Sequence, residues 1–418
     1  MLNSEREFEV VVWGATGFTG RLAAEHLSQH YGPQHYGTSQ PLRWALGGRN
    51  RAKLERVAGQ LNSPSGQLPI LVGDSYDRVS LDEIARRTSV ICSTVGPYAK
   101  YGSELVAACV EQGTHYCDLS AEVQWIRDML DRHEARARQT GARIVHCCGF
   151  DSVPSDLGCY FLQHHVQAEH DVVCGQVKLR VLKMRGAFSG GTVASLLNVL
   201  DESRRDPRVR QIVDDPYALN PAGARSGIDG PDRPVVQWDR DLGAWTAPFL
   251  MAPINTRVVR RTNALLDYSY GREFRYDEAV LTGRGPWGWI SAQSISSGLK
   301  LFLAAAAARP TRVVLEKWVL PSPGQGPSAS QRQKGGFEIQ LVGKSDAAAT
   351  DYWSAIVTGE QDPGYGSTSK MLAESAVCLA QDVDQLAVAG GFWTPASCFG
   401  MNLVQRLQAR AGMRFAVK

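Results

Sequence analysis

An apolar run that ends in three evenly spaced glycines constrains this chain more than any other feature. Phe8–Trp13 reads as a buried strand, and Gly14, Gly17 and Gly20 follow it in G-x-x-G-x-x-G spacing, ahead of an amphipathic segment Arg21–His30. Glycine permits the tight turn and lets backbone N–H groups approach a bound anion, which the N-terminus of the following helix favours. Thr16 and Thr19 add hydroxyl donors, with Phe18 between them. A bare strand-to-helix turn would use the same glycines. At the head of an alternating strand and helix pattern, the turn points instead to a dinucleotide.

That alternation continues through Leu42–Leu46, Arg51–Gln60, Ile70–Val72, Asp77–Arg87, Val90–Thr94, Ser103–Gln112, Tyr116–Leu119, Val123–Gln139 and Arg143–His146. Short apolar runs separated by helix-length segments predict parallel strands with crossover helices, a Rossmann-type doubly wound α/β sheet. After Gly149 the pattern changes. Longer alternating segments at Val172–Lys183, Thr256–Arg261 and Phe337–Gly343, with loops such as Asn220–Pro234, predict a second α+β domain with a mostly antiparallel sheet. The expected division is residues 1–150 for the dinucleotide domain and 151–361 for the substrate domain. Residues 362–418 are expected as a helical segment returning to the first domain, since its glycine loop feeds a helix.

The end of the second strand discriminates between the two nicotinamide cofactors, because a carboxylate there binds a ribose hydroxyl while arginine accommodates a 2′-phosphate. It reads Ala45-Leu46-Gly47-Gly48-Arg49-Asn50-Arg51-Ala52-Lys53, without a carboxylate. Arg49, with Arg51 or Lys53, therefore predicts NADP(H). Asp74, after the third strand, suits either an adenine amino group or a helix cap. Thr94, Val95, Gly96, Pro97 and Tyr98 end the fourth strand, where the main chain can lie against a nicotinamide ribose.

Further polar clusters fall on the same expected edge. Asp118, Glu122 and Asp151 are candidates to face a substrate, although Ser120, Asp151 and Ser155 are also good helix caps. Cys109, Cys117 and His115 come nearest to a metal cluster, but their placement on different elements predicts core packing and no metal. No tyrosine is followed four positions later by lysine, which disfavours the short-chain dehydrogenase mechanism.

Over 418 residues the formal charge is only +3, and Arg204, Arg205, Arg208 and Arg210 are interleaved with acids, so no nucleic-acid partner is expected. The nine cysteines form no CxxC pair and no signal-peptide core opens the chain, which predicts a reducing cytoplasm. No apolar run reaches the roughly 20 residues that span a bilayer. Residues 287–308 come nearest, and are expected as a packed helix, with a lid or a peripheral membrane contact as the sharper alternatives. A homodimer is a candidate assembly.

The chain resembles the saccharopine dehydrogenase-like oxidoreductases, in particular their trans-acting enoyl reductase branch. The resemblance is carried by Trp13–Gly20, Leu46–Arg49, Thr94–Tyr101, Gly113–Glu122, Gly141–Asp156, Ser189–Ser195, Met251–Asp267 and Asp362–Tyr365. Gly141–Asp156 (GARIVHCCGFDSVPSD) is the most specific of these, and the runs span almost the whole chain. Where the family often has Ser-Gly-Glu, this chain has Ser120-Ala121-Glu122. The resemblance implies a Rossmann domain, a second α+β domain and NADPH as hydride donor to a small or carrier-bound acyl substrate. Tyr98, Tyr101 and His146 are then the expected proton donors. An amino-acid dehydrogenase would instead present Arg257, Arg260 and Arg261 to its substrate, and a third reading is an NADP(H)-binding protein without turnover.

Overall fold

Val10, Val11 and Val12 are all fully buried in β1 (Phe8–Trp13), so this strand is covered on both faces, as a parallel sheet flanked by helices requires. The computed structural model describes residues 6–32, 41–61, 68–186, 190–232, 234–307, 310–312, 326–345 and 352–418. The other strands of the dinucleotide half are β2 (Trp44–Gly48), β3 (Ile70–Val72), β4 (Thr88–Ser93), β5 (His115–Asp118) and β6 (Arg143–Val145). They are followed by β7 (Gln176–Arg185), β8 (Gln237–Asp239), β9 (Ala244–Pro248), β10 (Arg275–Gly283), β11 (Gly336–Lys344), β12 (Tyr352–Gly359), β13 (Gly391–Trp393) and β14 (Met413–Val417).

The first sheet has the order β13-β6-β5-β4-β1-β2-β3, with every pairing parallel. The chain therefore reverses its direction of travel across the sheet between β1 and β4. That switch point opens a crevice at the carboxyl ends of the strands, where ligands of such sheets bind. The second sheet, β14-β12-β11-β7-β10-β9-β8, is antiparallel except for the β7 and β10 pair. The helix Val153–His170 runs from the first sheet onto β11 and β12, and one buried apolar cluster runs through both halves.

Two segments differ from expectation. Thr256–Arg261, whose alternation suggests a strand, lies inside the helix Ala252–Leu265. That helix is buried from Ala252 through Asn263 apart from Pro253, so no single apolar stripe exists to show a period of 3.6. The C-terminal segment contains more than helix. It supplies β13 to the first sheet and β14 to the second. Its helix Thr368–Gln381 is fixed to the helix Phe18–Tyr31 by a buried carboxylate, Glu374, which accepts from His26 Nε2 and from the Tyr31 hydroxyl, each at 2.7 Å.

The segment 287–308 forms most of the helix Gly285–Ala307, with residues from 308 lying outside the described helix. Gly288, Ala292, Ser296 and Ala306 face inward, while Trp287 and Leu301 are 79% and 72% exposed. Among the described residues no helix is long and apolar enough to cross a membrane. All nine cysteines are free and buried, and no group of side chains among the described residues could hold a metal ion.

Candidate active site

Each glycine of the opening turn has a separate task. Gly14 takes φ +86°, and a Cβ there would lie 2.6 Å from Val95 Cγ2 and 2.8 Å from Thr94 Oγ1. It therefore allows β1 and β4 to close against each other at the switch point, where the Thr94 hydroxyl donates to the carbonyls of Trp13 and Gly14. Gly20 lets the helix pack on the strand, since its Cβ would collide with the Gly14 carbonyl and come within 2.9 Å of Ala15 Cα. Gly17 is the N-cap and offers no side chain to the helix. The N–H groups of Phe18, Thr19 and Gly20 thus form a first turn without a side-chain cap, the arrangement that receives a phosphate.

The second strand ends beside this turn, with Gly14 N–H donating to the Gly47 carbonyl at 3.0 Å. Arg49 and Lys53 are exposed there and make no ion pair with any described residue; the Lys53 N–H donates to the Asn50 side chain, which caps the helix Arg51–Gln60. Asp74 is used locally. Its Oδ1 accepts from Tyr76 N–H at 2.9 Å, while the next helix is capped by Asp77. An uncapped helix start beside unpaired cations fits a phosphorylated dinucleotide in this crevice.

The crevice deepens into a cleft of about 540 Å³, open solvent at its mouth included. Its lining takes Thr19 from the first helix, Thr94, Gly96 and Tyr98 from the end of β4 and the turn beyond it, Leu119 and Ala121 from after β5, Asp151 from after β6, Gly191, Thr192 and Ser195 as a further wall from the helix Gly190–Arg205, and Gly364 and Thr368 from the C-terminal segment. Gly96 and Pro97 are joined by a cis peptide bond. The end contributed by the C-terminal segment is fixed by Asp362, whose carboxylate accepts from Tyr365 N–H at 2.8 Å and Gly366 N–H at 3.2 Å. Tyr365 sets its ring edge against Phe18, at 4.7 Å between centroids, and its hydroxyl accepts from Gly190 N–H.

Most of the expected proton donors and acids prove to be committed elsewhere. Tyr98 lines the cleft with its ring, but its hydroxyl donates to the Ser93 carbonyl and accepts from Leu119 N–H, both at 3.1 Å. Burial pushes its pKa well above the usual tyrosine range. Tyr101 is outside the cleft lining and packs against Tyr76, which follows β3. His146 is buried in a different hollow, among Ile126, Leu130 and Arg261, with Nδ1 on Asp118 Oδ2 at 2.7 Å. Asp118 also accepts from the N–H groups of Ser120 and Cys147, so it ties the ends of β5 and β6 together and is outside the cleft lining.

Glu122 is a brace. Its fully buried carboxyl accepts from Tyr98 N–H at 2.7 Å, Ala99 N–H at 3.0 Å and the Ser195 hydroxyl at 2.7 Å, which joins two walls of the cleft. Desolvation outweighs these bonds and raises its pKa. Only Asp151 keeps its carboxyl unspent. It lines the cleft and accepts no hydrogen bond from any described residue; Ser152 occupies the cap position of the next helix. Burial alone raises its pKa to about 7.

Residue types alone did not reveal the further wall or the C-terminal contribution. Gly191, Thr192, Ser195, Gly364 and Thr368 lie in runs that carry the family resemblance, Ser189–Ser195 and Asp362–Tyr365 with its continuation, but they bear no ionisable group that marks a site. The arginines of the amino-acid dehydrogenase reading are elsewhere and occupied. Arg257 pairs with Asp232 at 3.0 Å, Arg260 with Asp229 at 2.8 Å, and Arg261 donates to the carbonyls of Leu219 and Phe392.

Residues 10–145 match the family model described as saccharopine dehydrogenase NADP binding domain. A Mycobacterium tuberculosis protein provisionally named a trans-acting enoyl reductase is 40% identical over 98% of this chain and 97% of its own length. A trans-acting enoyl reductase of Mycobacterium ulcerans is 36% identical over 97% of each chain. Among solved structures, the L-Glu-forming saccharopine dehydrogenase of Saccharomyces cerevisiae covers 98% of this chain and 100% of its own, with a TM-score of 0.53 at 11% identity, which bears on the fold alone. With a Rossmann sheet, a phosphate-ready turn and full-length relatives of this kind, the chain belongs to the saccharopine dehydrogenase-like family that includes the trans-acting enoyl reductases, and is an NADP(H)-dependent oxidoreductase.

Proposed function

We propose that the chain reduces the carbon–carbon double bond of an α,β-unsaturated acyl thioester, presented on a partner's carrier domain, at the cleft between Thr94 and Ser195. The lining of that cleft is the observation that carries this reading: among the described residues it includes no cationic side chain, and its one uncommitted ionisable group is an acid. A neutral thioester fits such a surface. An amino-dicarboxylate would need the guanidiniums that Arg257, Arg260 and Arg261 spend on the 215–232 loop and on β13. When bound, NADPH supplies the hydride for the β-carbon. The uncapped N–H groups of Phe18, Thr19 and Gly20 hold the pyrophosphate, aided by the Thr16 and Thr19 hydroxyls, and Asp74 stands on the adenine side. Arg49 and Lys53 hold the 2′-phosphate, and Thr94 to Pro97 support the nicotinamide ribose. The names of the full-length relatives support both the reaction and the acyl substrate.

NADPH oxidation by medium-chain enoyl thioesters, free as coenzyme A esters and loaded on a carrier protein, tests the reaction. Turnover with the carrier-bound form at the higher kcat/KM is expected, and binding of NADPH without oxidation by any of them contradicts it. Arg49→Ala tests the cofactor end. Loss of one charge-assisted contact, worth about 1.5–3 kcal/mol, should weaken NADPH binding roughly tenfold to a hundredfold and leave NADH binding unchanged. Equal losses for both cofactors in a fluorescence titration would remove Arg49 from the phosphate site.

A further inference from the structure

We propose that Asp151 is the general acid that delivers a proton to the α-carbon of the acyl substrate. This rests on the cleft being an enoyl reductase site. Position comes first: Asp151 lines the same cleft as Thr19, Thr94, Thr192 and Ser195, in the turn that follows β6. Availability comes second. A general acid must have a proton that no other acceptor holds, and the carboxyl of Asp151 has no hydrogen-bond or ionic partner among the described residues. Partial burial in the cleft disfavours the charged form and shifts this carboxyl upward, to about 7.

Among the described lining residues, each competitor is set aside by its bonds or its chemistry. The Ser195 hydroxyl donates to Glu122, the Thr94 hydroxyl to Trp13 and Gly14, the Thr368 hydroxyl to Pro363, and the Tyr98 hydroxyl to Ser93. Thr19 and Thr192 carry alcohols, which are far weaker acids than a carboxyl. The titratable groups around Asp151 are Tyr98 in the cleft and Cys147 on the preceding turn, with Glu122 and Asp118 behind the walls. Burial pushes Tyr98 and Cys147 up, which keeps both neutral. Glu122 is held by Tyr98, Ala99 and Ser195, and Asp118 by His146, Ser120 and Cys147.

The hydride from NADPH forms the β-carbon–hydrogen bond with its electron pair, the π electrons move toward the thioester oxygen, and NADP is left oxidised. The O–H bond of Asp151 then breaks as the α-carbon–hydrogen bond forms, leaving a carboxylate that takes its next proton from water at the cleft mouth. Because the acid must start protonated, turnover is fully present below about pH 7 and falls as pH rises through that value.

Two measurements on the full chain test the role. Infrared difference spectra of the cofactor-free protein, wild type minus Asp151→Asn, should show a protonated-carboxyl band that is lost near neutral pH. A band lost only in the ordinary carboxylate range overturns the proposal. With an enoyl thioester and NADPH, Asp151→Asn should lose turnover about a hundredfold or more, with the alkaline limb of the pH profile flattened and NADPH affinity kept within about twofold. A variant that keeps both the rate and the limb overturns the role of Asp151 while leaving the enoyl reductase reading intact. Failure of the wild-type protein to oxidise NADPH with any of the enoyl thioesters overturns that reading, and the role with it.

Discussion

Gly20→Ala is expected to destabilise the protein by about 3 kcal/mol, as for a methyl forced into a closed contact. The added carbon would meet the Gly14 carbonyl and Ala15 Cα, two backbone atoms of the turn itself, so neither can rotate away as a side chain would. Relief requires the helix Phe18–Tyr31 to lift from β1, which also moves the N–H groups of its first turn. Gly17→Ala separates the two effects. A Cβ there would lie 3.2 Å from the Gly14 carbonyl, tight but tolerable, and would intrude on the surface offered to a pyrophosphate. Urea denaturation should place Gly20→Ala well below wild type and Gly17→Ala near it, with NADPH affinity reduced in both. Equal stability of Gly20→Ala and wild type would mean that the turn is not packed as described.

Arg260→Leu should cost about 3–5 kcal/mol, the range for removing one partner of a buried ion pair. Arg260 is 4% exposed, pairs with Asp229 at 2.8 Å, donates to the carbonyls of Pro216 and Tyr276 and lies over the Tyr217 ring. Its loss leaves Asp229 shielded with only the Tyr276 N–H at 3.3 Å. The effect should appear in chemical denaturation, while the NADPH dissociation constant of the folded fraction stays at the wild-type value. A stable variant with altered substrate selectivity would instead restore the amino-acid dehydrogenase reading, in which these arginines face the ligand.

What could be read from the sequence was what short-range chemistry encodes. The triple glycine and the apolar triplet Val10–Val12 can be met only by a buried parallel strand feeding a phosphate-ready turn, and Arg49 stands where no carboxylate does. The strand ends carrying Thr94, Asp118 and His146 followed from that pattern. The use of these side chains did not, because it depends on partners far along the chain. Glu122 looks like a site acid until Ser195, 73 residues away, is seen to donate to it. Asp151 looks like a helix cap until Ser152 is found in that position.

Thr256–Arg261 misled for a related reason. A helix buried on every side, with its arginines neutralised by a loop, loses the apolar stripe that announces a helix. The C-terminal strands β13 and β14 are short and gain their pairing only from β6 and β12, more than fifty residues earlier in each case.

NADPH-dependent enoyl reduction at the cleft between Thr94 and Ser195 can be checked by following the hydrogen. NADPH deuterated at the transferable position should be incubated with the protein and a carrier-bound enoyl thioester, and the saturated product analysed by mass spectrometry. Deuterium at the β-carbon, with the α-hydrogen drawn from solvent, is the predicted result. A product with no cofactor-derived deuterium, or NADPH that binds and is never consumed, would contradict the account.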